Sequence, residues 1–212
     1  MKFLKPQDEF PSVKEATAEG LLAYGGDLSP NRLLEAYSRG IFPWYEEDQP
    51  ILWWSPDPRM VLFPENLKVS KSMKQLIKKN AFQITYNSAF SEVVDHCAKI
   101  SRTGQQGTWI TPEMKQAYLS LHQRGFATSV EVWQENELVG GLYGIYLKEK
   151  RIFCGESMFA KVSNASKYGF IHLVKELEKG GVRLIDCQMY TPHLASLGAG
   201  EIPRSVFLKY LD

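Results

Sequence analysis

Residues 151–188 read RIFCGESMFAKVSNASKYGFIHLVKELEKGGVRLIDCQ, and the fold is decided here. The apolar run Ile152-Phe153-Cys154 leads into Gly155-Glu156-Ser157 and predicts a strand that ends there. A polar, glycine-free loop follows. Phe170, Leu173, Val174 and Leu177 then recur at the i, i+3, i+4, i+7 spacing of one helix face. That helix opens at Asn164-Ala165-Ser166 and is stopped by Gly180-Gly181. Residues 182–188 are the next strand, ending in Asp186-Cys187-Gln188. A right-handed strand–helix–strand crossover places the helix on one face of a sheet. Ligands of α/β folds bind where such strand ends and helix N-termini meet, so the polar groups at Glu156, Asn164 and Asp186 converge on the expected site.

Upstream, Ser70 starts a helix whose inner face is Met73, Leu76 and Ile77, and residues 82–86 form a short strand. Phe90, Val93, Val94 and Cys97 space out another helix, and residues 101–106 are a polar loop. Thr111-Pro112 opens a helix with Met114, Ala117, Tyr118 and Leu121 facing inward. Residues 126–133 and 138–147 read as a hairpin around Gln134-Glu135-Asn136-Glu137. Short helices are expected near residues 194–197 and 205–211. This order describes an α/β fold with a mixed sheet, of the kind found in acetyltransferase-like (GNAT) domains. A small N-terminal α/β domain over residues 1–60 precedes it, leaving residues 61–212 as the GNAT-like domain.

The N-terminal part is less regular. Residues 1–28 are rich in turn formers, and Ser29-Pro30 caps a helix carrying Leu33, Leu34 and Tyr37, ended by Gly40. Residues 40–59, GIFPWYEEDQPILWWSPDPR, hold Trp44, Trp53 and Trp54 among four prolines, which argues against regular helix. The tryptophans are either a mini-core or a surface on which nucleotide bases stack.

The formal net charge is +1 across 212 residues, 44% of them hydrophobic. A general nucleic-acid coat is thereby excluded, and any such contact requires a local patch. No apolar run approaches the about 20 residues of a membrane span, and the N-terminus has no signal-peptide run. The three cysteines show no metal-like or disulfide spacing, which suits a cytoplasmic protein. Lys71, Lys74 and Lys78 lie on one helix face with Lys79 beside them, either a solvated face or a phosphate-binding stripe.

Asp186 and Gln188 stand two apart on a strand, so both leave one face with Leu184, while Ile185 and Cys187 take the other. An Asp inside the apolar run LIDCQ demands a partner, whether a nearby Arg, a cap or a substrate. Strict alternation puts Phe153 opposite Glu156 unless a kink at Gly155 intervenes. Asn164 reads as a helix N-cap or, with its neighbours, as a place for an anion or carbonyl. His122 and His193 are read as structural. The loop SMFAKVSNASK has no glycine to let a pyrophosphate approach the backbone, which disfavours acetyl-CoA as donor. No metal cluster or Walker loop is present in the sequence.

The stretches GLLAYGGDLSP, LLEAYSRGIFPW, PILWWSPDPR, GTWITPEM, SVEVW, LVGGLYG, FCGESMF, NASK, LIDCQ and HLASLGAGEIPR are too long and unusual for a chance match. Through them the sequence resembles the bacterial leucyl/phenylalanyl-tRNA–protein transferases over nearly its whole length. The resemblance implies transfer of Leu or Phe, less well Met, from aminoacyl-tRNA to proteins beginning with Arg or Lys, marking them for N-degron proteolysis. It implies Asp186 and Gln188 as the catalytic pair, with Asp186 orienting the Gln188 amide. It implies Glu156 as the acid for the basic acceptor, and Trp44 and Trp109 at the aminoacyl-adenosine end. Phe153 is implied as a wall of the amino-acid pocket, joined by Ile185. Lys71, Lys74, Lys78 and Lys79 correspond to a basic cluster for tRNA. Leu173 and Leu177 stand where the family can carry aromatics. The chain ends soon after its last helix, so a role for the longer tail of some members is not expected. No cofactor or metal is expected, no membrane partner, and a monomer. The competing readings are a CoA-dependent N-acetyltransferase and a non-catalytic RNA-binding module.

Overall fold

The computed structural model describes residues 2–100 and 108–212, so the loop expected over residues 101–106 lies outside the described residues. The N-terminal part holds β1 (Lys2–Leu4), β2 (Leu21–Gly25), α1 (Pro30–Ser38), β3 (Phe42–Pro43) and β4 (Leu52–Trp54). The chain continues with β5 (Arg59–Leu62), α2 (Lys71–Lys78), β6 (Gln83–Tyr86), α3 (Phe90–Lys99) and α4 (Pro112–Gln123). Then come β7 (Ala127–Gln134), β8 (Glu137–Leu147), β9 (Ile152–Ala160), α5 (Ala165–Lys179) and β10 (Leu184–Gln188). The last elements are α6 (Pro192–Ser196), β11 (Gly200–Ile202) and α7 (Arg204–Leu211). Among the described residues no helix is long and apolar enough to cross a membrane.

Four short strands make a small sheet in the order β1-β2-β4-β3. They occupy segments whose Gly and Pro content reads as irregular chain, because strands this short give no periodicity. Trp53 anchors the sheet. It is 0% exposed, its indole N–H donates to the Gly25 carbonyl at 2.8 Å, and Phe10 packs edge-on against its ring.

The larger sheet runs β11-β5-β10-β9-β8-β7-β6. Its neighbours are antiparallel except β9 and β10, which are parallel and joined through α5, as the crossover predicts. Side chains alternate between two cores. Ile152, Cys154 and Leu184 face the core shared with α1, α3, α4, α7 and the small sheet. Phe153 and Ile185 face the core made with α5 and Met73 of α2. The hairpin β7–β8 turns through Glu135 and Asn136, both at positive φ, which is the two-residue turn whose twist matches the strands.

Helix starts follow the sequence in part. Thr111 and Ser70 accept from the backbone N–H of Met114 and Met73. Ser29 precedes α1 but makes no capping bond. Asn164 is not an ordinary N-cap: it sits at φ 69° in the left-handed region with no side-chain cap bond, as the last residue of the turn into α5. The start of α5 lies close on β8, since a Cβ at Gly140 would stand 2.7 Å from that of Ala165.

Candidate active site

The site exists because two paired strands separate. β9 and β10 run in register from Leu184 opposite Ile152 to Asp186 opposite Cys154, and there their pairing stops. β9 continues to Ala160 rather than ending at Ser157. It carries a bulge: Gly144 of β8 opposes Gly155 while the adjacent Tyr143 opposes Ser157, so Glu156 is the extra residue. β10 carries a second one, with Asp186 opposite Val61 and Gln188 opposite Met60, leaving Cys187 extra. Gln188 follows with φ 64°, in the left-handed region. Between the parted strands lies a cavity of about 700 Å³, lined by Glu156 and Gln188.

The two side chains meet across the gap. The Gln188 side-chain amide donates to Glu156 Oε1 at 3.0 Å. Tyr118 of α4 donates to Glu156 Oε2 at 2.5 Å, and the Tyr118 hydroxyl lies 3.1 Å from that of Tyr37 on α1. Burial pushes the Glu156 carboxyl up to about 7 against the hydrogen bonds it accepts from Tyr118 and Gln188, and the charge of Asp186 pushes the same way as burial.

This predicts a pH signature of folding. A carboxyl whose folded pKa exceeds its unfolded value favours the folded state fully only below the unfolded pKa. That contribution is lost as pH rises to about 7. Glu156→Gln titrates in neither state. The variant is expected to gain about 2–3 kcal/mol on the parent between pH 5 and pH 8. Urea melts at pH 5 and pH 8 check this, and an equal difference at both pH values counts against it.

Asp186 is placed differently from the expectation that it orients the Gln188 side-chain amide. It is 1% exposed, and both its oxygens are engaged by the equally buried Arg59, with Nε to Oδ1 at 2.8 Å and Nη2 to Oδ2 at 2.7 Å. Arg59 also donates through Nη1 to the Gly40 carbonyl and lies between the rings of Phe42 and Phe207. Asp186 reaches Gln188 only through the backbone, accepting its N–H at 3.0 Å. Past the bulge at Cys187 the Gln188 side-chain amide is bonded to Glu156 and not to Asp186.

Of the other expected site residues, Trp44, Trp109 and Ile185 line the cavity. Phe153 does not: its ring is fully buried and packs over Gly144, where a Cβ would come within 2.5 Å of it. Phe153 and Glu156 do leave opposite faces. The positions of α5 that face the cavity are Ser166 and Phe170, whereas Leu173 and Leu177 are buried in the core behind. Trp54 closes the indole group by donating to the Trp44 carbonyl, so the tryptophan cluster serves as both core and cavity wall. His122 stacks on Phe90 and shares a hydrogen bond with the Ala127 carbonyl. His193, by contrast, stands in the cavity wall. Lys71, Lys74, Lys78 and Lys79 are exposed on and just after α2, and no ion pair engages them among the described residues.

Arg59, Tyr37 and Tyr118 escape the sequence reading. The signal for Arg59 was available: an Arg heading the apolar run RMVL is the complement that an Asp inside LIDCQ requires. The tyrosines carry no such signal, because their spacing is that of ordinary core positions.

Comparison with known proteins adds three findings. The family described as leucyl/phenylalanyl-tRNA protein transferase matches residues 61–212, and its N-terminal domain matches residues 26–57. The leucyl/phenylalanyl-tRNA–protein transferase of Christiangramia forsetii is 64% identical over 211 residues, covering 100% of both chains. That of Flavobacterium psychrophilum is 56% identical over 211 residues, covering 100% of this chain and 99% of its own. Among solved structures, L-PGS from Bacillus licheniformis is similar at a TM-score of 0.43 and 9% identity, over 82% of this chain and 57% of that one.

Proposed function

The chain belongs to the leucyl/phenylalanyl-tRNA–protein transferase family, and on that premise we propose that it moves Leu or Phe, less well Met, from aminoacyl-tRNA to proteins beginning with Arg or Lys. The acceptor is the N-terminal α-amine, and the product is marked for N-degron proteolysis in the cytoplasm. The observation that carries this reading is the Glu156–Gln188 pair facing a cavity with indoles and apolar side chains in its walls.

The donor ester is already activated, so the chain's task is to position two substrates. Gln188 commits its amide N–H to Glu156, which leaves its carbonyl oxygen to accept a hydrogen bond from the attacking amine. The amine nitrogen bonds to the ester carbonyl carbon, the ester C–O bond breaks, and the proton lost by nitrogen ends on the departing ribose oxygen. An α-amine with a pKa of about 7.7–8.0 is partly neutral at cellular pH, so a strong base is not required. Glu156 faces the basic side chain of the acceptor. Ile185, Phe170 and Met158 receive the Leu or Phe side chain, and Trp44 and Trp109 receive the terminal adenosine by stacking. The lysines of α2 hold the tRNA backbone as point charges.

Labelled Phe-tRNA is incubated with an Arg-starting and an Ala-starting peptide. Label is expected in the Arg-starting peptide, whereas tRNA binding without transfer would leave an RNA-binding module. Glu156→Gln is expected to lower the Arg-to-Ala ratio of kcat/KM by about tenfold or more, since a hydrogen bond to a charged group contributes roughly 1.5–3 kcal/mol. An unaltered ratio would move acceptor recognition to other residues.

A further inference from the structure

Two core tyrosines carry hydroxyls into the reactive end. We infer that Tyr118, backed by Tyr37, is a positioning residue that fixes one oxygen of the Glu156 carboxylate and keeps the other turned toward Gln188 and the acceptor. The inference rests on the reading of Glu156 as the acceptor's partner.

Tyr118 is 0% exposed and Tyr37 1%, and Phe would fill either position without a polar group to satisfy. Their hydroxyls therefore need partners, and those partners form a chain of defined direction. A phenol has one proton. Tyr118 gives its proton to Glu156 Oε2, so the 3.1 Å contact between the tyrosines has Tyr37 as donor and Tyr118 as acceptor. Gln188 donates to Oε1 from the other side. Every hydrogen bond reaching the carboxylate is thus a donor, an arrangement that favours the charged form.

The groups facing Glu156 from each packed element set the balance. From α1 and α4 come the two tyrosines, whose own ionisation burial suppresses. Tyr143 of β8 lies edge-on to Tyr118 at 5.1 Å. On β9 the neighbouring Cys154 thiol is likewise held neutral by burial. From β10 comes Asp186, whose negative charge opposes ionisation of Glu156 but is paired with Arg59 of β5. Burial and Asp186 thus favour the protonated acid, and the donors oppose them. Tyr118 makes the shortest of those bonds. A protonated Glu156 cannot pair with a cation.

The chain also explains why α1 contacts both arms of the site. Tyr37 begins the hydrogen-bond chain to Glu156, while the Gly40 carbonyl just beyond the same helix accepts from Arg59, the partner of Asp186.

The test measures Arg-starting and Ala-starting peptides against pH with one donor, so that ionisation of the attacking amine and tRNA binding largely cancel in the ratio. In the parent the ratio of kcat/KM is expected to rise with pH through about 7. In Tyr118→Phe that rise should move up by about one pH unit, the tenfold change in protonation that one charged hydrogen bond represents. A second readout needs no transfer: the side-chain carboxyl 13C shift of Glu156, assigned by its loss in Glu156→Gln, titrated in parent and variant. Tyr37→Phe removes only the outer link and should move both curves the same way by less, which preserves the test if Tyr118→Phe does not fold. Superimposable 13C titrations in parent and variants overturn the inference. A shifted titration with a peptide ratio that Glu156→Gln leaves unchanged would support the hold of Tyr118 on the carboxylate and overturn the acceptor reading.

Discussion

Asp186→Ala is expected to cost about 3–5 kcal/mol of folding stability, because it strands the Arg59 guanidinium in a core where 1% of its surface is exposed. Burial of an unpaired charge is among the large penalties a single substitution can produce. Arg59→Ala should cost a similar amount by stranding the carboxylate. A double variant, Arg59→Met with Asp186→Leu, should recover most of the loss, since apolar residues replace both charges together. Transfer should not recover with it. The Gln188 N–H loses the Asp186 oxygen that accepts it at 3.0 Å, and the left-handed turn presenting the Gln188 side chain loses its tether. Denaturant melts together with single-turnover transfer at saturating substrates separate the two effects. Single variants as stable as the parent would show that the pair contributes little, and full transfer by the double variant would remove Asp186 from the catalytic arrangement.

Changing Lys71, Lys74 and Lys78 to Ala together should weaken binding of every aminoacyl-tRNA alike, by on the order of 10²-fold near 0.1 M salt. The chain's net charge is +1, so attraction for a polyanion has to come from a local cluster. These side chains are exposed, unpaired among the described residues, and set away from the Met73 face that packs on the core. Each phosphate contact removed should flatten the slope of log K against log salt by about one. Lysine binds phosphate as a point charge, so discrimination among tRNAs should persist unchanged. Transfer from a short aminoacyl-adenosine donor should stay near the parent's rate, because that donor lacks the tRNA backbone that the lysines would hold. Parental affinity and salt slope in the triple variant would reduce the stripe to a solvated face.

Local sequence determined a good deal of this protein. Helices α2 to α5 are written as apolar spacing between Ser, Thr, Gly and Pro signals, and the hairpin β7–β8 as alternation around a polar turn. The parallel pairing of β9 and β10 follows from the helix between them. The motifs GESMF and LIDCQ point to Glu156, Asp186 and Gln188 before any fold is known. Short strands such as β3 and β4 were not legible, since two or three residues carry no period.

Tertiary structure alone decided what those acids and amides touch and where the Gln188 side chain turns. Alternation predicts side-chain direction only while a strand remains regular, and both strands bordering the cavity carry an extra residue there, Glu156 in one and Cys187 in the other. Whether a strand bulges depends on the partner strand and on the cores that each face must fill, so the turning of Gln188 toward Glu156 is a property of the sheet. The pairing of Asp186 with Arg59, 127 residues away, and of Glu156 with Tyr118, 38 residues away, likewise comes from packing. Sequence spacing tells which residues need partners. Only the burial of the whole chain, which makes an unpaired charge or hydroxyl costly, selects which partners they find.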